Sequence, residues 1–158
     1  MTTDAAEHYE SLPRRRVGAG ALLLDGAGNV LMVEPTYKDE WEIPGGVVEG
    51  GEDPRLACKR ECLEELGLSL KVGRLLVLEH QSYGPPLGDS MMLVYDGGTL
   101  PVGAAITLPA DELRSFRFVP AEELGRITVK RLARRIQFAL LALREGSTVE
   151  LVNGVRAL

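Results

Sequence analysis

Five charged side chains lie close together in one short segment, and their spacing favours chemistry with a cation. Glu52 is followed by the pairs Arg60-Glu61 and Glu64-Glu65. On a helix, residues three and four apart share a face, so Glu61, Glu64 and Glu65 should crowd together. Each like-charge pair costs about 0.2–0.5 kcal/mol on an isolated helix, a penalty that a hard divalent cation such as Mg²⁺ would remove. A merely solvated helix face is the alternative interpretation.

The elements around this cluster must position it. Asp53 is a suitable N-cap, Pro54 is favoured at the first helical position and Gly67 is a suitable C-cap, so the pattern predicts a helix between them. The preceding Gly45-Gly46 pair would let the backbone approach a metal or a phosphate closely. Side chains on the arc opposite the carboxylates are expected to pack into the core: Leu56, Cys62, Leu63 and Leu66.

The remaining elements alternate between strands and helices. Apolar runs predict strands, and helical periodicity predicts one further helix: strands at 17–24, 30–33, 72–81, 91–95 and 116–119, and a closing helix at 128–144. Turn formers at 25–29 predict a hairpin, and residues 34–51 are predicted to form an ordered loop or a short strand. This order favours a mixed sheet flanked by helices.

Composition limits the class of protein. The chain has 158 residues, of which 45% are apolar and 26% charged, as expected for one folded domain. A net charge of −5 argues against bulk nucleic-acid binding, so we expect no DNA partner. We expect no membrane span or signal peptide, because no apolar run is long enough. Cys58 and Cys62, the only cysteines, favour a reduced, cytoplasmic setting.

Residues 46–68 resemble a known motif. They match the signature of the Nudix hydrolases, G-x5-E-x7-R-E-U-x-E-E-x-G-U, in which U is a bulky aliphatic residue. Every fixed Gly, Glu and Arg is present, and the sole departure is Cys62 at the first U position. The likeness extends to the hairpin at 25–29, the lead-in at 41–46 and the segment 116–124. The chain therefore resembles a single-domain, MutT-like Nudix hydrolase.

The resemblance implies a fold and its limits. It implies an α/β (α+β) protein with a Nudix-type α/β/α sandwich around a central mixed sheet. The domain would comprise residues 16–146. Residues 1–15 would be a polar N-terminal leader and residues 147–158 a C-terminal tail, since neither carries a family signal. A homodimer is left open.

The resemblance also implies a metal centre. Mg²⁺ or Mn²⁺ would be held by carboxylates and one backbone carbonyl, namely those of Glu61, Glu64, Glu65 and Gly45. Glu52 would anchor or bridge the cluster. Arg60 would orient a carboxylate rather than bind substrate.

Catalysis by such a centre uses water. A metal-bound water would attack phosphorus with help from a base. The catalytic candidates are Glu61, which is the first choice as base, its neighbours Arg60 and Glu64, and Glu112 on a downstream loop. Glu112 is equally well explained as an acidic residue at the start of a helix.

Substrate contacts are less specific in the sequence. Trp41 and Tyr37 are candidates to stack on a base or to cap the sheet edge, and Tyr83 lies where Nudix enzymes often contact the nucleoside. His80 is expected to be an ordinary strand residue. A basic band on the last helix is predicted either to contact phosphate or RNA or simply to be solvated: Lys130, Arg131, Arg134 and Arg135.

The predicted function is metal-dependent hydrolysis of a phosphoanhydride bond. The expected substrate is a small nucleoside diphosphate derivative, such as a nucleoside triphosphate, a nucleotide sugar or a dinucleoside polyphosphate. Two alternatives stay open: a non-catalytic module that senses a nucleotide, and an RNA cap or 5′-end pyrophosphohydrolase. The complete set of motif glutamates argues against the first, and the net acidity argues against the second.

Overall fold

The computed structural model describes residues 3–157, which form a mixed sheet with helices on its two faces. The elements follow one another in the order α1 (Thr3–Ser11), β1 (Arg16–Leu24), β2 (Val30–Pro35), β3 (Gly45–Val47), α2 (Pro54–Leu66), β4 (Leu75–Ser82), β5 (Asp89–Thr99), β6 (Leu113–Val119), a 3₁₀ helix (Ala121–Arg126), α3 (Lys130–Glu145), β7 (Val149–Val152) and β8 (Val155–Arg156). No helix within these residues is long and apolar enough to cross a membrane.

The sheet contains both parallel and antiparallel pairs of strands. The strand order is β6-β2-β1-β5-β4-β7-β8, and β3 pairs with β1 beside this path. Neighbouring strands are antiparallel except at β1–β5 and β4–β7, which are parallel. β3 pairs with β1 and β4 pairs with β5, so β3 and β4 lie on opposite sides of this central pair.

Each face of the sheet is covered by one long helix. α2 packs against β1 and β3, whereas α3 packs against β4 and β7. Each helix encloses its own hydrophobic core, one including Leu31, Cys62 and Leu66 and the other including Leu76 and Ile136. The predicted α/β/α sandwich with a central mixed sheet is therefore confirmed.

The helix that carries the charged cluster begins and ends where its capping residues predict. The Asp53 carboxylate accepts a hydrogen bond of 2.9 Å from the Leu56 amide, and Pro54 is the first helical residue. Gly67 adopts φ 68° and donates its N–H to the Leu63 carbonyl. A left-handed C-cap of this kind strongly favours glycine, because a side chain would be strained there.

The predicted inward face of this helix is wrong. Leu56 and Leu63 are more than half exposed, at 53% and 54%, and Ala57 and Cys58 are buried in their place. Cys62 and Leu66 are buried as predicted. At 100° per residue, the buried face is rotated by roughly a quarter turn toward Glu61 and Glu65. Small side chains there let the helix approach the sheet, which places two of the carboxylates at the edge of the core.

Two terminal segments form elements that the sequence did not indicate. Residues 3–11 form α1, and β7 pairs in parallel with β4 from Val77↔Val149 to His80↔Val152. Part of the presumed C-terminal tail is therefore an integral strand of the sheet. The domain limits of 16–146 stay a prediction.

Candidate active site

Arg60 lies at the centre of the charged cluster. Its Nε and Nη2 donate to the two oxygens of Glu52 at 2.9 and 3.0 Å, and its Nη1 lies 2.8 Å from Glu61 and 3.2 Å from Glu64. Nη2 also donates to the Val47 carbonyl at 3.1 Å. These contacts raise the pKa of Arg60 and lower that of Glu52, in each case chiefly through the hydrogen bond between them. The guanidinium thus connects α2 to the segment 47–52 that precedes it.

Close contacts on both sides of β3 require glycine at positions 45 and 46. Gly45 has φ 152°, and a Cβ there would collide with the Ala19 carbonyl oxygen. A Cβ on Gly46 would overlap the carboxylate of Glu61. Glycine at both positions therefore lets β3 pair with β1 and lets Glu61 lie against the strand.

Glu65 lies deeper than the other carboxylates. Burial raises its pKa to about 8, opposed by a 2.9 Å hydrogen bond from the Gly45 N–H. The negative charges of Glu61, Glu42 and Glu112 raise it further. The sequence predicted a Gly45 carbonyl that faces a metal, and what the structure shows is the Gly45 amide bound to Glu65. Glu112 is close enough to affect Glu65, and Glu42 is an additional acidic neighbour that the sequence did not single out.

The carboxylates are not already arranged around an ion. Within residues 3–157, no group of three or more His, Cys, Asp or Glu side chains has the spacing of a metal site. Arg60 lies between Glu52, Glu61 and Glu64 instead. The donor set nevertheless fits a hard divalent cation, because one guanidinium faces three carboxylates and a fourth, Glu65, is held at the edge of the core.

A pocket of about 420 Å³ opens beside this cluster. At the carboxylate end it is lined by Tyr37, Glu42, Gly45, Gly46 and Glu65. At the other end it is lined by polar groups from β4, the loop after it, β5 and α3, namely Gln81, Tyr83, Ser90 and Arg135. Apolar lining residues include Val17, Met92 and Leu132.

Of the three aromatic candidates, two line the pocket and one does not. Tyr37 and Tyr83 line it, and Tyr37 is 74% exposed. Trp41 is not among the lining residues; its ring lies 4.7 Å from the Arg117 guanidinium and packs against the core under α3. The position of Trp41 therefore favours a cap on the sheet edge over stacking on a base in this pocket.

The basic band on α3 does not face solvent throughout. Arg135 is only 6% exposed and its Nε donates to the fully buried Glu79. The Arg131 guanidinium stacks 4.5 Å from the centre of the Tyr83 ring. Sequence reasoning missed the pocket groups Gln81 and Ser90 and the buried Glu79 that holds Arg135, although charged residues in the apolar patterns of β4 and α3 were a usable signal.

The overall architecture is shared with a solved structure. A MutT protein from Methanosarcina mazei Go1 superposes with a TM-score of 0.68 over 86% of this chain and 99% of that one, at 23% identity. At this level of identity the similarity establishes the fold. Residues 14–141 match the sequence profile of the NUDIX domain, so the chain belongs to the Nudix family.

Curated relatives match over only part of the chain. Diphosphoinositol polyphosphate phosphohydrolase 2 of Rattus norvegicus is 48% identical over 54 residues, which is 33% of this chain and 30% of that protein. The RNA pyrophosphohydrolase of Dinoroseobacter shibae is 41% identical over 64 residues, 39% of each chain. The chain thus spans about a third of the length of these relatives.

Proposed function

We propose that this protein hydrolyses the phosphoanhydride bond of a small nucleoside diphosphate derivative with the help of Mg²⁺ or Mn²⁺. The observation that carries the proposal is the excess of carboxylate around Arg60 beside an open pocket. The complete Nudix motif and the family membership support the same reaction class. The site is assigned to Glu52, Glu61, Glu64 and Glu65, with Glu112 as a further candidate for proton transfer.

The glutamates and Arg60 have different roles in this proposal. Glu61 and Glu64 would hold the cation in place of their present contacts with Arg60, and Arg60 would keep its paired hydrogen bonds to Glu52. Arg60 then holds the loop against the helix, so its role is to position carboxylates. A bound divalent ion supplies charge neutralisation for the diphosphate and a more acidic water. Glu61 is the first choice for accepting the proton of that water, and Glu112 is the competitor.

The pocket favours a nucleotide over a highly phosphorylated inositol. Among the described lining residues the cationic groups are Arg16 and Arg135, and both already have protein partners, the Leu87 carbonyl and Glu79. Glu42 and Glu65 add negative charge. A ring that carries many phosphates needs several uncommitted cations, whereas a nucleoside needs an apolar floor and a few polar groups.

Cellular setting and assembly extend the same proposal. Cys58 and Cys62 are free and buried, which agrees with a reducing, cytoplasmic environment. A monomer and a homodimer are equally compatible with the pocket described above.

A substrate panel tests the proposal. Purified protein is incubated with nucleoside triphosphates, nucleotide sugars, dinucleoside polyphosphates, a diphosphoinositol polyphosphate and 5′-triphosphorylated RNA, with Mg²⁺ and then with Mn²⁺. We expect hydrolysis of at least one small nucleotide, loss of activity with a chelator, and recovery when metal is returned. Metal-independent turnover, or turnover of the inositol or RNA substrate alone, would contradict the proposal.

A further inference from the structure

The end of the pocket remote from the carboxylates is a fixed polar network. Glu79, Gln81, Ser90 and Arg135 are at most 6% exposed, and all except Glu79 line the pocket. Arg135 is held by its hydrogen bond to Glu79, which comes from the adjacent strand β4. Buried polar groups of this kind are costly unless they are satisfied, so their mutual orientation is strongly constrained.

The orientation of the Gln81 amide follows from its neighbours. With the oxygen directed at the arginines, it accepts from Arg135 Nη2 at 2.7 Å and from Arg131 Nε at 2.9 Å. The amide nitrogen then donates to Ser90 Oγ at 3.2 Å and to Tyr83 Oη at 2.9 Å. The reverse orientation would direct N–H groups at N–H groups. Arginine has donors only, which selects the first orientation.

This orientation determines what the network offers to a ligand. Tyr83 Oη also lies 2.9 Å from the Gln81 oxygen, but the two guanidiniums already use the two lone pairs of that oxygen. The Tyr83 hydroxyl therefore accepts from the amide nitrogen. Ser90 and Tyr83 each accept from Gln81, and their own protons are therefore free to point into the pocket. The end of the pocket presents hydrogen-bond donors.

The charges of the network are already committed, which argues against a second phosphate. Its additional cation, Arg131, is exposed to solvent, donates to Gln81 and stacks on Tyr83. Arg135 is paired with Glu79, whose other oxygen, Oε1, is buried and has no hydrogen-bond partner among residues 3–157. The adjacent lining groups Met92, Val94 and Leu132 are apolar. An uncharged carbonyl oxygen can approach these donors without the desolvation cost of an anion.

We infer that the network formed by Gln81, Tyr83, Ser90 and Arg135 selects substrates whose base carries a carbonyl group over those that carry an amino group at the same position. Uracil and hypoxanthine present a carbonyl oxygen where cytosine and adenine present an amino group. This inference rests on the proposed function for the position of the diphosphate, and it adds the residues that discriminate between bases.

Two matched substrate pairs test the inference. UTP and CTP, and likewise ITP and ATP, carry the same phosphates and differ on the base edge. We expect kcat/KM to favour UTP over CTP and ITP over ATP by about tenfold or more, the usual cost of leaving a buried donor unpaired. A phosphate-binding role for the network predicts equal values within each pair, which would overturn the inference.

Substitutions identify the responsible group. Gln81→Glu replaces the amide N–H donors by acceptors, so the hydroxyls of Ser90 and Tyr83 turn toward residue 81 and present oxygens to the ligand. We expect the ratio of UTP to CTP to fall by about tenfold or to invert. Ser90→Ala, a smaller change, should lower the ratio partly. Gln137→Leu on the exposed side of α3 is the control and should leave it unchanged.

Binding without turnover separates this inference from the proposed function. Calorimetry with UMP and CMP in the presence of a chelator measures base preference when hydrolysis is impossible. Tighter binding of UMP supports the inference even if the substrate panel shows no hydrolysis. Equal binding of UMP and CMP, including no measurable binding of either, would overturn it, as would an unchanged ratio in both Gln81→Glu and Ser90→Ala.

Discussion

Arginine meets carboxylate near both ends of the pocket, with an excess of carboxylate near one end and an even balance at the other. Arg60 faces Glu52, Glu61 and Glu64, so two of these three carboxylates have no cation of their own. Arg135 faces Glu79 alone, and both side chains are almost fully buried. The cluster around Arg60 attracts a further cation, whereas the Arg135–Glu79 pair holds neighbouring side chains in place.

Burial explains why the two ends differ. An unbalanced charge is tolerated around Arg60 because water reaches Glu64, whose side chain is 56% exposed. Around Glu79 no solvent is available, and an unpaired charge there would be prohibitively costly. Excess charge at an accessible site therefore indicates chemistry, whereas balanced charge at a buried site indicates positioning of neighbours such as Gln81.

The largest expected effect is on turnover at the Arg60 end. Glu64→Gln should lower kcat by at least about a thousandfold, because it removes a charged oxygen ligand while keeping the shape of the side chain. Glu122→Gln on the exposed 3₁₀ helix is the matched control. Steady-state rates and urea unfolding are measured together, and near-normal turnover by a folded Glu64→Gln protein would remove Glu64 from the metal site.

The largest expected effect on stability is at the Arg135 end. Glu79→Leu leaves a buried guanidinium without its carboxylate and should lower the free energy of unfolding by about 3–5 kcal/mol. The double variant Glu79→Leu/Arg135→Met removes both charges and should cost less. Urea unfolding of the two variants decides the point. A double variant that is less stable than the single one would show that the pair does not behave as a balanced unit.

A third prediction tests the orientation of α2 beneath the carboxylates. Leu66 is buried and Leu63 is 54% exposed on the same helix. Leu66→Ala should cost about 2–5 kcal/mol of unfolding free energy and Leu63→Ala about 1 kcal/mol or less. The two variants differ only in position, so thermal or urea unfolding compares them directly. Similar losses would restore the face that the sequence predicted.

The smallest expected effect is on stability at the Arg60 end. Arg60→Gln leaves the carboxylates of Glu52, Glu61 and Glu64, which are 11%, 17% and 56% exposed, to repel one another where water reaches each of them in part. The loss should therefore be smaller than for Glu79→Leu, at about 1 kcal/mol at low salt. High salt should shrink the loss, since it screens exposed charges more than buried ones. Urea unfolding at two ionic strengths measures the difference. A loss that is independent of salt would place Arg60 in the same class as Arg135.

Local signals in the sequence predicted the parts of the fold that depend on neighbours in the chain. Asp53, Pro54 and Gly67 mark both ends of α2, and the turn at 25–29 marks the first hairpin. The spacing of the glutamates likewise predicted their cluster. These features depend on contacts within a few residues, for which spacing and capping rules are informative.

Contacts between distant segments could not be predicted from such local signals. Arg135 and Glu79 are 56 residues apart, and β7 joins β4 through a parallel pairing that no turn announces. The inward face of α2 was assigned from its leucines, whereas Ala57 and Cys58 fill the narrow space against the sheet. Tight packing selected small side chains over more hydrophobic ones there.

Direct measurement of metal binding tests the central claim most sharply. Mn²⁺ is titrated into the metal-free protein, and the free ion is followed by electron paramagnetic resonance, with Glu64→Gln, Glu65→Gln and the control Glu122→Gln in parallel. We predict stoichiometric binding by the wild-type and control proteins, weakened at least about tenfold in the two site variants. Equal Mn²⁺ affinity in all four proteins would contradict the assignment of this carboxylate cluster as a metal centre.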